Sequence, residues 1–150
     1  MTLFDINDTL RKFNNVYEII KYYCEVRLDY YNKRKKYMID ILEIELIKIS
    51  NKHRFILHVI NDNTIVFKKK DNEITKTLDE NKYDKIDNTY NYLLNINVKS
   101  FTYELLENLK KLLENKTHEL LILKSMDIKT IWLNDLDVLL KLLQSDHYFN

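Results

Sequence analysis

The stretch that decides the fold is VYEIIKYYCEVRLDYYNKRKKYMIDILEIELIKISNKHRFILHVI, residues 16–60. Val16, Ile19, Ile20, Tyr23, Val26 and Tyr30 recur at helical spacing, and after a basic break Tyr37, Met38, Ile41, Ile44, Phe55, Ile56 and Val59 resume it. Asn15 and Glu18 supply a start signal: the amide oxygen accepts from the first free N–H groups, and the acid suits the positive end of the helix dipole. No strong stop occurs before Asn61-Asp62-Asn63. Unbroken, the segment makes a helix roughly 68 Å long, whereas a compact globule of this chain length is only about 40 Å across. The sequence therefore predicts an arm, not a ball.

Outward from that helix, Leu3-Phe4, a turn at Asn7-Asp8 and Leu10 to Phe13 read as a hairpin remnant. Beyond the Asn/Asp turn, Thr64 to Phe67 reads as an extended piece, and Glu73 to Glu80 as a short helix capped by Asp71. Tyr90 to Leu94 is a short apolar patch. Thr102 caps a second long helix, with Glu104 in its first turn and a stripe of Leu105, Leu109, Leu112, Leu113, Leu120 and Leu123. A third opens near Asp127 and carries Ile131, Trp132, Leu136, Leu139, Leu140 and Leu143. The two returning helices add to roughly 57 Å, enough to run back along most of the first. The expected fold class is mainly α: a long antiparallel coiled-coil arm, a small helical globular tip, and a short β remnant at the N-terminus. It is one domain, divided as 1–14, 15–60 for the ascending helix, 61–101 for the tip and 102–145 for the returning helices.

The chain has 150 residues, 45% hydrophobic and 31% charged, with 24 Lys+Arg against 23 Asp+Glu. That balance is globular and excludes a binder that works by bulk positive charge, so any basic surface must be local. Gly and Pro are both 0, and Ala is absent as well, a pattern that follows the codons of a strongly A/T-biased genome. Turns are not thereby excluded, because Asn can take left-handed positions that Gly would otherwise fill; Asn81 and Asn95 are candidates. Cys24 is the single cysteine, which points to a reducing, intracellular compartment. Asp5 and Asp8 sit where a signal peptide would be apolar, and no apolar run approaches a membrane span, so no membrane partner is expected.

Without Gly there is no phosphate-cradling loop of either common type, and no nucleotide or other cofactor is expected in this chain. His53, His58, His118 and His147 include no i,i+4 pair, and Glu114 with His118 reads as a solvated pair, so no metal is expected. Cys24 on the long helix reads as an apolar filler. Asp79-Glu80, Asp84 with Asp87, and Asp135 with Asp137 read as solvated faces, leaving no catalytic residue to name.

Two constellations remain. Tyr30-Tyr31-Asn32-Lys33-Arg34-Lys35-Lys36-Tyr37 places Lys33, Arg34, Lys35 and Lys36 around a helix, as either a phosphate-contacting collar or a solvated segment. Tyr90, Tyr92, Leu93 and Leu94 form an apolar knot at the far end of the arm, which either packs on its own tip or meets another molecule.

Leu3-Phe4-Asp5, Leu10-Arg11-Lys12-Phe13, the run Glu25 to Lys35, Ser50-Asn51-Lys52-His53-Arg54-Phe55-Ile56, Tyr83-Asp84, Tyr92 to Ile96, Ser100-Phe101-Thr102 and Ile131 to Asp137 resemble, in that order, the type IIA DNA topoisomerases. The resemblance spans essentially the whole chain. It departs at Asn95, a position the family usually gives to Gly, and at Asn81, near another family glycine. It implies the end of the cleavage core: the last tower strands (1–14), the coiled-coil arm, and the tip at which two subunits meet as an exit gate.

On that resemblance, Tyr90, Tyr92, Leu93, Leu94 and Ile96 are expected at or near a homodimer interface, with Lys33 to Lys36 facing the transported duplex. The remaining topoisomerase modules would be partners. ATP and Mg are expected only for the parent enzyme, since the ATPase, metal-binding and tyrosine-nucleophile modules lie outside these residues, and no Arg-Tyr pair occurs here. The rival readings are a stand-alone viral helical scaffold protein with no topoisomerase role, and a small basic-collar DNA binder.

Overall fold

A computed structural model describes residues 1–61, 70–97, 99 and 101–145; the extended piece expected at Thr64 to Phe67 lies outside them. The fold is mainly α, as the sequence predicts. A two-stranded sheet of β1 (Thr2–Phe4) and β2 (Leu10–Lys12) precedes α1 (Val16–Asn61), whose 46 unbroken residues fit a coiled-coil arm. Then come α2 (Asp71–Glu80), α3 (Asn91–Leu94), α4 (Tyr103–Ser125) and α5 (Ile128–Ser145). The chain divides into two compact units, Met1–Ile39 with Leu123–Asn150, and Asp40–Ile122.

Local signals set the helix ends. Asn15 Oδ1 accepts from Glu18 N at 2.9 Å, and Glu18 reaches back to Asn14 N at 2.8 Å, one residue further out than a standard capping box. The Asn14 backbone and side-chain bonds hold the Glu18 carboxyl below its usual range. Thr102 Oγ1 takes Leu105 N at 3.2 Å, and Asp127 Oδ2 takes Lys129 N at 3.3 Å. The start of α2 differs from expectation: Lys70 is its cap and Asp71 its first helical residue. Glu73 sits at the third position, and its N–H reaches Lys70 O at 2.8 Å.

The left-handed positions also differ. Asn81 and Asn95 have φ of −81° and −84°, and positive φ falls instead at Asp8, Lys82, Asp87 and Asn88. At the end of α2, Lys82 N bonds to Asp79 O and Tyr83 N to Leu78 O, the paired bonds of a Schellman motif, with Lys82 as its left-handed residue. Tyr83 and Leu78 are both buried and supply that motif's apolar contact.

In the unit Asp40–Ile122, α1 and α4 run antiparallel: Lys116 bridges Glu45 at 3.1 Å, while Ile56 and Leu105 line one groove further along. The core gathers Phe55 and Val59 of α1, Ile74 and Leu78 of α2, Tyr83, Tyr90 and Leu93, with Tyr92, Ile96 and Phe101 packed against it. In the other unit, the hairpin pairs Leu3 with Arg11, Phe13 is buried against Tyr22, and Tyr31 stacks on Trp132 of α5 at 5.9 Å.

The buried face of α1 is not the expected stripe throughout. Phe55, Ile56 and Val59 are buried, but Tyr23, Tyr30, Tyr37, Met38, Ile41 and Ile44 are exposed, and Tyr31 and Leu42 are buried in their place. Apolar residues occupy nearly every side of this helix, so spacing alone cannot choose between neighbouring stripes. α5 is similar: it fully buries no residue, and Leu133, Leu136, Val138, Leu139, Leu140 and Leu142 are exposed.

Leu93 has no exposed surface, whereas Leu121 is 60% exposed. Leu93→Ala should cost about 2–5 kcal/mol in denaturant unfolding, and Leu121→Ala no more than about 0.5 kcal/mol. Equal losses would contradict the core described.

Candidate functional site

The segment that follows α2 is fastened to α1 by a polar chain that begins at the buried Asn51. Its Nδ2 donates to Asp84 Oδ2 at 2.9 Å, and its Oδ1 accepts from Arg54 Nη2 at 3.3 Å. Arg54 also donates to Lys82 O at 2.7 Å and lies 4.1 Å from the centre of the Tyr83 ring. This grip holds the left-handed Lys82 from its carbonyl side. Tyr92 closes the loop by donating to Asp84 O at 2.7 Å, and Tyr83 Oη lies 2.9 Å from His58 Nδ1.

A second cluster holds α3. The Tyr90 hydroxyl donates to Asp79 Oδ1 at 2.6 Å and lies 3.1 Å from Tyr83 O. Lys85 pairs with the same Asp79 oxygen at 2.8 Å. Burial, and then the Asp79 carboxylate, push Tyr90 up to about 12, while the bonds from Lys85 and Tyr90 hold Asp79 below its usual range.

A third cluster ties α1 to α5 and to the turn before it. Asp135 Oδ2 accepts from Tyr31 Oη at 2.7 Å and also from Arg34 Nη1. These bonds hold Asp135 below the ordinary carboxylate value, and they raise Arg34. Lys35 Nζ donates to Lys124 O at 3.0 Å and Met126 O at 2.6 Å, capping the carbonyl end of α4 with a positive charge.

The expected interface residues divide by burial. Leu93 and Tyr90 are buried in the core with Phe55, Val59, Leu78 and Tyr83. Leu94 on the same short helix is 41% exposed. Tyr92 and Ile96 are half-buried along a groove of about 420 Å³ shared with Lys52, Asn95 and Leu105. The basic run divides too. Lys33 pairs with Asp29 at 3.1 Å, Arg34 with Asp135, and Lys35 with carbonyls; only Lys36 of the four makes no polar contact among the described residues. The run is therefore partly structural, which its spacing does not reveal.

Three carboxylates read from sequence as solvated faces, Asp79, Asp84 and Asp135, are instead anchors of these clusters. Their partners lie 11, 33 and 104 residues away at Tyr90, Asn51 and Tyr31, beyond any local pattern. Among the described residues no three His, Cys, Asp or Glu side chains converge as metal ligands, and no helix is long and apolar enough to cross a membrane.

Compared with known proteins, residues 1–137 match the DNA gyrase/topoisomerase IV A-subunit family. DNA topoisomerase 2 of Plasmodium falciparum is 34% identical across 91% of this chain, and that of Acanthamoeba polyphaga mimivirus 33% across 91%. In each case the chain spans 12% of the relative's length. A crystal structure of the Plasmodium falciparum topoisomerase II DNA-binding, cleavage and re-ligation domain superposes with a TM-score of 0.86 at 32% identity. It covers 99% of this chain and 24% of its own.

The raised Tyr90 matters at high pH. A folded chain keeps the Tyr90 proton where an unfolded tyrosine, titrating near about 10, has lost it. Its contribution is therefore complete below about pH 10 and disappears as pH rises toward about 12. The denaturant midpoint should fall more steeply across that window for the wild-type chain than for Tyr90→Phe. Parallel pH slopes would show that the Tyr90 proton contributes nothing.

Proposed function

This chain belongs to the type IIA DNA topoisomerases and corresponds to a part of their cleavage core, and from that premise we propose that it is the exit-gate arm, a reversible homodimer latch that holds and then releases the transported duplex. Residues 1–14 end the tower, 15–60 ascend, 61–101 form the tip and 102–145 return. The role is mechanical. ATP hydrolysis, Mg and strand cleavage are supplied by other modules of the parent enzyme, and this chain contributes no reacting group.

The observation that carries the reading is the build of α3. Leu93 and Tyr90 are buried in the core, the Tyr90 and Tyr92 hydroxyls are tied back to Asp79 and the Asp84 carbonyl, and Leu94 is left on the exposed side of α3. A latch needs that combination. It must be apolar enough to hold both ends of a broken duplex, yet small enough to part in each cycle, which a few presented side chains on a stiff platform provide. Tyr92 and Ile96, half-buried along a separate groove with Asn95, add to the contact at its edge. In a two-fold interface each of these residues counts twice.

Sedimentation against concentration tests the reading. The wild-type chain should self-associate, and Leu94→Glu, which sets two like charges at the contact, should weaken association about tenfold or more. Far-ultraviolet circular dichroism should be unchanged. A wild-type chain monomeric at all concentrations would overturn the latch. Association that survives Leu94→Glu but is lost on Leu140→Glu would move the self-contact to the exposed apolar face of α5.

A further inference from the structure

Between Arg27 and Lys36, α1 carries Arg27, Lys33, Arg34, Lys35 and Lys36 in a chain whose net charge is only +1. Two carboxylates answer them: Asp29 for Lys33 and Asp135 for Arg34. Lys35 is satisfied by neutral carbonyls, and Arg27 and Lys36 form no ion pair among the described residues. A local excess of positive charge remains on this segment of the helix.

That excess surrounds Asp135. Positions 27, 31, 34 and 35 share one face of α1, and the Arg27 and Arg34 guanidiniums each lie 5.3 Å from the centre of the Tyr31 ring. Asp135 brings one carboxylate oxygen to this face and receives a guanidinium and a phenol on it. A nucleic-acid phosphate oxygen accepts from the same kinds of donor. The Arg34 and Asp135 side chains are 49% and 43% exposed, and ion pairs this open to water are held weakly. Exchange of one anion for another at this position does not require unfolding.

We infer that Asp135 is an internal stand-in for a phosphate of duplex DNA, occupying Arg34 in the absence of DNA and yielding it, with Arg27 alongside, when the backbone arrives. The inference rests on the reading that a duplex passes this part of the arm. It makes DNA contact and the Tyr31–Arg34 fastening of α5 alternatives, and it assigns Asp135, an acid, the role of weakening DNA binding.

The test is a fluorescence-anisotropy titration of a short duplex with the full chain at several salt concentrations. Asp135→Asn should bind about three- to tenfold more tightly at low salt, and the slope of log affinity against log salt should steepen by about 0.9, one added phosphate contact. Both gains should vanish in Asp135→Asn combined with Arg34→Gln. Asp135→Asn binding no more tightly than wild type overturns the inference while leaving the exit-gate reading intact. Absence of duplex binding by either chain overturns the DNA-facing part of both. A measurement on the wild-type chain is independent of how the variants fold: the Arg34 side-chain N–H resonance should shift on adding duplex, and an unmoved resonance overturns the exchange.

Discussion

A single long helix cannot fold back on itself, so every turn of α1 has to find its cover in some other part of the chain. That constraint governs the rest of the structure. Where apolar cover is available, as around Phe55 and Val59, the helix is buried by a small core drawn from α2, α3 and the loops between them. Where it is not, the contacts are few and polar or aromatic: Tyr31 on Trp132, Arg34 on Asp135, Lys35 on the carbonyl end of α4. Burial supplies most of the stability in the first case. In the second, half-exposed ion pairs contribute little each, and their value is that they fix which face of α1 meets which face of α5.

The parts of the fold legible from sequence are those encoded within a few residues. The Asn15 and Thr102 caps, the start of the third long helix at Asp127, and the hairpin at the N-terminus all involve partners two to twelve positions apart, and the chain forms them where the pattern puts them. The uninterrupted run of α1 follows for a related reason. With Gly and Pro both 0, nothing in the segment stops a helix, and the hydrogen-bond ladder continues by default.

The remainder depends on partners far along the chain. Nothing local separates Tyr31 from Tyr30, since both are tyrosines beside a basic run; only Trp132 and Asp135 decide between them. Intrinsic preference assigns the left-handed residue after α2 to Asn81, yet it is Lys82. Two factors outweigh the preference: the Tyr83–Leu78 contact that the Schellman geometry creates, and the Arg54 bond to the Lys82 carbonyl. In the same way Tyr90, Tyr92, Leu93 and Leu94 read as one apolar knot, but the short α3 turns them apart, sending Tyr90 and Leu93 inward and Leu94 outward. One turn of helix is enough to separate support from contact.

The stretches that carry the family resemblance are also the ones whose side chains meet. Asn51 and Arg54 of the segment Ser50 to Ile56 close on Lys82, Tyr83 and Asp84, and Tyr92 returns to Asp84. Tyr31 and Arg34 of the run Glu25 to Lys35 close on Trp132 and Asp135 of Ile131 to Asp137. A composition skewed toward Lys, Asn and Ile can replace glycines at turns, because a left-handed turn tolerates Asn, Asp or Lys when its neighbours hold it. It cannot replace half of a matched pair so easily, because the abandoned partner is left with an unanswered charge or a buried amide, and that costs more than the substitution saves. In such a chain the residue at a turn is therefore freer to change than either member of a fastening, because only the second leaves a stranded partner behind.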